Sequence, residues 1–90
     1  MAEIKVNSED LYQFGKNLLD MAIALADNYS KLKNQMQRVD ATWQDSENRE
    51  FMGKFQNEAE KIYKISDEMA GYGNFIMRKA DALQAYESTR

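Results

Sequence analysis

Ninety residues with 12 basic and 15 acidic side chains, a formal net charge of −3, make at most one small domain (residues 1–90) without the basic surplus of a nucleic-acid binder. Cysteine, histidine and proline are all absent, so no disulfide or thiolate site staples the chain, and the commonest metal ligand and general base is missing. No cofactor, metal or nucleic acid is expected, and the burial that two helices cannot supply alone has to come from a partner.

In chain order, the start Met1-Ala2-Glu3-Ile4-Lys5-Val6-Asn7 has no apolar core and no cleavage pattern, so it does not read as a secretory signal peptide. No segment is apolar for long enough to span a membrane. A cytoplasmic location and export by a route without a cleavable signal both stay open. The spacing then predicts a first helix over about 8–40. Asn7 is its N-cap, Glu9 and Asp10 put negative charge in its opening turn, and Val6 and Leu11 take the two staple positions. Two seven-residue ladders run through it. One is Leu11, Leu18, Leu25, Leu32, Val39; the other is Gly15, Ala22, Tyr29, Met36, Trp43.

A turn is expected over 41–45, around the single tryptophan, Trp43. A second helix follows over about 46–86, capped by Asp45 or Ser46, with Glu47 and Glu50 in its first turn. Its ladders are Phe55, Ile62, Met69, Ile76, Leu83 and Met52, Ala59, Ser66, Gly73, Ala80. Folding at residue 44 sets position i opposite 88 − i, which pairs Gly15 with Gly73, Ala22 with Ser66, Tyr29 with Ala59 and Met36 with Met52. The fold class is all-α, an antiparallel two-helix hairpin, closest where the two glycines meet.

The seam leaves apolar residues over. Tyr12, Phe14, Leu19, Met21 and Ile23 flank it on the first helix; Tyr63, Ile65, Tyr72, Phe75 and Met77 flank it on the second. Both groups fall in the half away from the turn and are expected to form one broad patch. Leaving it in water forfeits several kcal/mol at about 25 cal/mol per Å². The patch therefore predicts pairing with a second hairpin, its own copy or a related chain, as a four-helix bundle dimer.

Trp43-Gln44-Asp45 between two long helices, with Phe51 and Phe55 following and the short start Ala2–Glu9, resembles the Trp-x-Gly family of small type VII secretion substrates, the early-secreted-antigen-like proteins. The resemblance covers nearly the whole chain. It implies a secreted substrate or co-secreted partner that docks on secretion machinery through the turn, exported without a cleavable signal peptide. The chain departs from the pattern twice. Asp45 stands in place of the motif glycine; aspartate caps helices and tolerates left-handed backbone better than most residues. Tyr86 stands where the family's tail signal begins, but position 90, which that signal makes acidic, is Arg90. Tyr63 and Asp67 have the same spacing inside the second helix, where the match reads as coincidence.

Enzymatic chemistry is not expected. Glu58, Glu60, Asp67 and Glu68 read as solvated carboxylates without the histidines of a di-metal bundle. Gly71 and Gly73 lie in a helical pattern with no strand before them, which excludes a phosphate loop. Lys31, Lys33 and Arg38 are flanked by acidic residues. Two other roles fit the same features: a targeting partner or chaperone for a larger helical toxin or effector, and a cytoplasmic structural adaptor.

Overall fold

The computed structural model describes residues 6–88; Arg90 and the start Ala2–Lys5 lie outside them. Two helices, α1 (Ser8–Thr42) and α2 (Ser46–Ser88), fold into an antiparallel hairpin. At 1.5 Å per residue they are about 52 and 64 Å long, and the molecule measures 68 × 24 × 13 Å.

α1 begins where Asn7 Oδ1 accepts hydrogen bonds from the backbone N–H groups of Glu9 (2.8 Å) and Asp10 (3.4 Å). It continues through Ala41 and Thr42, which narrows the expected turn to Trp43–Asp45. The Thr42 hydroxyl bonds back to the carbonyls of Arg38 and Val39 (3.4 and 3.2 Å), and the Trp43 N–H donates to the Val39 carbonyl at 2.8 Å. Two of these bonds satisfy the Val39 carbonyl, one of those the last turn leaves without an intrahelical partner. Asp45, rather than Ser46, caps α2: its Oδ1 accepts the Asn48 N–H at 2.9 Å. α2 is described through Ser88, two residues beyond the expected 86. Near the open end, the Ser8 hydroxyl reaches Glu87 Oε2 at 3.1 Å and ties the helices together.

The seam is narrow and built from small residues. Gly15 and Ala22 on α1, and Ala59, Ser66, Gly73 and Ala80 on α2, are buried at seven-residue spacing. A Cβ on Gly15 would lie 2.9 Å from the Gly73 carbonyl oxygen, and one on Gly73 would lie 2.8 Å from the Gly15 carbonyl oxygen. Backbone meets backbone there, which only glycine permits. Ser66 sits in the seam with its hydroxyl turned onto its own helix, donating to the Tyr63 carbonyl at 2.6 Å. Toward the turn the packing opens around Tyr29, Leu32, Met36, Phe55 and Ala59, which line a cavity of about 20 Å³.

Among the described residues no large side chain is fully buried. The accessible surface is 7258 Å², roughly a third above the ~5,400 Å² of a compact monomer of this mass. The Cα radius of gyration is 20.0 Å, against about 12 Å for a compact chain of this length. Among the described residues four ion pairs, Lys16–Asp20, Lys31–Asp27, Lys54–Glu50 and Lys61–Glu58, each lie within one helix on exposed side chains. Such pairs contribute only about 0.2–0.5 kcal/mol each. The hairpin is thus a flat layer with little interior of its own.

Candidate functional site: the turn and the apolar faces

The turn is a hydrogen-bonded unit built on Asp45. Its Oδ2 accepts the Trp43 indole N–H at 2.9 Å while Oδ1 caps α2. The backbone N–H of Asn48, then the Trp43 indole, hold the Asp45 carboxyl below its ordinary value. Gln44 Nε2 donates to the Ala41 carbonyl at 3.2 Å. Trp43 has extended backbone, and no described residue has positive φ. The backbone freedom of a glycine is therefore not needed at position 45, and an aspartate stands there without strain.

Trp43 is 37% exposed at the end of the hairpin. Its ring lies 6.0 Å from Phe51, and Phe51 stacks on Phe55 at 5.5 Å with 19° between planes. The three rings form a ladder along the first turns of α2. Two residues of this site were not anticipated from sequence. Asn48 is 2% exposed and donates from Nδ2 to Asp40 Oδ1 at 2.9 Å, strapping the end of α1 to the start of α2. Its Oδ1 has no partner among the described atoms. The spacing Asp40-x₇-Asn48 across a turn is the only trace of this strap in the sequence.

At the other end of the hairpin, eight of the ten flanking residues are more than a third exposed; Leu19 and Met77 are half-buried in the seam. The ten do not share one face. Each residue advances about 100° around its helix. With Gly15 and Gly73 turned toward each other, Phe14 and Met21 fall on one side of α1, and Tyr12, Leu19 and Ile23 on the other. On α2, Ile65 and Tyr72 join the first side, and Tyr63 and Met77 the second. Phe75 points outward, where Lys79 Nζ sits 5.8 Å from its ring centroid. Ile76 and Met77, neighbours in sequence, straddle Gly15: a Cβ there would meet a side-chain carbon of each at 3.0 Å.

The first face, here the front, is the more apolar. Phe14, Met21, Ile65 and Tyr72, exposed by 51–62%, flank half-buried Leu11, Leu18, Leu25, Met69, Ile76 and Leu83. On the back face Tyr12 borders an open groove with Gln13, Asp81 and Gln84, and Tyr63 packs on Tyr29 at 5.5 Å beside Ser30 and Lys33. Tyr86 is exposed near the end of α2. No described helix is long and apolar enough to cross a membrane, and no group of three or more metal-binding side chains occurs among the described residues.

Comparison with known proteins fits this geometry. Residues 3–88 match the family model WXG100, described as proteins of 100 residues with WXG. No curated protein and no solved structure matches the chain. A match of that extent over a two-helix hairpin with a turn tryptophan places the chain in the WXG100 family, the small helical-hairpin proteins secreted through type VII systems without a signal peptide.

Proposed function

We propose that the chain is a secreted substrate or co-secreted partner of a type VII-like system and works by docking. Its front face pairs with a second copy of the hairpin to make a four-helix bundle, and the turn with its exposed indole is presented to the secretion machinery. The observation that carries this reading is the uncovered front face on a hairpin that has no fully buried large side chain among the described residues. Stable interfaces bury about 800 Å² per partner, well within the surplus surface of this molecule. Monomers rarely leave contiguous apolar patches of that size in water.

The faces are separated by charge substitution. Tyr72→Asp combined with Phe14→Asp is expected to convert a two-chain species to single chains, whereas Tyr12→Asp, on the back, leaves the mass unchanged. The reverse pattern assigns pairing to the back face. For the turn, Trp43→Ala is expected to reduce export into the medium while the paired species persists. Export at the unsubstituted level would remove the turn from docking. Recovery of the chain only in a complex with a larger helical protein would favour the targeting-partner role instead.

A further inference from the structure

Asp45 departs from the motif that gives the family its name, and its carboxylate is committed at both oxygens. Oδ1 takes the Asn48 N–H and Oδ2 takes the Trp43 indole N–H, each at 2.9 Å. The ring is also held from two other directions. The Trp43 backbone is fixed by its own N–H on the Val39 carbonyl at 2.8 Å, and Phe51 lies against the indole with its centroid 6.0 Å away. An indole 37% exposed would ordinarily exchange among rotamers.

We infer that Asp45 is a positioning residue for Trp43: it caps α2 and, with the same carboxylate, locks the exposed indole in one orientation at the tip of the hairpin. One chemical consequence concerns recognition. Indole N–H is a donor only, and here it is already used. The tip therefore offers a partner an apolar ring face beside a fixed negative charge, with no free indole donor. A partner matched to this surface has an apolar contact next to a basic group, and an acceptor aimed at the indole N–H gains nothing. Positioning of the ring stands independently of export; its use in recognition rests on the docking reading.

The lone tryptophan makes the test direct, because the folded chain has a single indole N–H resonance in a ¹H–¹⁵N spectrum. In the unsubstituted protein that proton is expected to exchange with solvent about tenfold more slowly than in a free indole, as a hydrogen bond to a charged acceptor requires. Asp45→Ser keeps an N-cap oxygen but is too short to serve both donors. It is expected to leave the helical signal in circular dichroism unchanged while the indole resonance shifts and its protection disappears. An indole proton unprotected in the parent protein overturns the assignment, whatever the variant does. So does an unchanged resonance and exchange rate in folded Asp45→Ser. A variant that loses helicity leaves the decision to the parent's exchange rate. Export falling in parallel with indole release supports recognition of the placed ring; indole release with export unchanged keeps the positioning role and refutes its use in docking.

Discussion

At Gly15 and Gly73 the helices touch backbone to backbone, while at the turn they are joined through the side chains of Asp40, Trp43, Asp45 and Asn48. The first contact is steric and uncharged. It depends on the absence of a methyl group, and neither pH nor salt bears on it directly. The second is a set of directed bonds, and the part built on the Asp45 carboxylate follows the ionisation of that group. One hairpin thus carries a rigid crossing that sets how closely the helices lie and a polar tip that sets what is displayed.

The largest stability effect is expected at the crossing. Gly73→Ala places a methyl 2.8 Å from the Gly15 carbonyl oxygen and 2.9 Å from the Leu19 nitrogen, both backbone atoms that move only with their helix. Overpacking of this kind costs about 1–3 kcal/mol and is partly offset by the better helix propensity of alanine, about 1 kcal/mol. A net loss of up to about 2 kcal/mol in urea unfolding, at fixed protein concentration, is the expected result. Gly71→Ala and Gly53→Ala sharpen the comparison, because nothing lies within 4 Å of a Cβ at either position. Both are expected to gain about 0.5–1 kcal/mol. A loss at Gly53 or Gly71, or a gain at Gly73, breaks the distinction between contact glycines and open ones.

Effects at the tip are smaller. Asn48→Ala removes the strap to Asp40 but also removes a buried acceptor without a partner. A net loss of about 0.5 kcal/mol is expected, read from the same unfolding curves. The smallest effect concerns pH. The Asp45 carboxyl is lowered in the folded state by hydrogen bonds from Asn48 and Trp43. Its stabilisation is therefore complete above the unfolded value of about 3.9 and is lost as pH falls through the lower folded-state value. Acid titration of the helical signal should show a smaller loss in Asp45→Ser than in the parent. Parallel titrations would mean that this carboxylate contributes nothing specific.

Most of the hairpin could be read from the chain because a seven-residue repeat of small residues, Gly15-Ala22 against Ser66-Gly73-Ala80, writes a narrow seam directly into sequence. Asn7 and Asp45 were legible as caps for a similar reason: a short polar oxygen at the head of a periodic run has one local use. The flanking residues were harder. Position along the chain fixes their level on the hairpin, but their angle around the helix decides the face, so Phe14 and Tyr12 part company although they are two residues apart. Ala41 and Thr42 read as turn because their helical state depends on the Thr42 hydroxyl and on how the chain leaves α1. Asn48 was missed because an asparagine in a first helical turn ordinarily faces water. Its partner, Asp40, comes from the other helix, eight residues back across the turn.

The central claim is that the hairpin is half of a structure, with a front face that needs a second hairpin against it. Sedimentation equilibrium of the purified chain at micromolar concentration tests it most directly. The account predicts a helical species of twice the 10.5 kDa chain mass. A fully helical species with the mass of one chain at that concentration would contradict it.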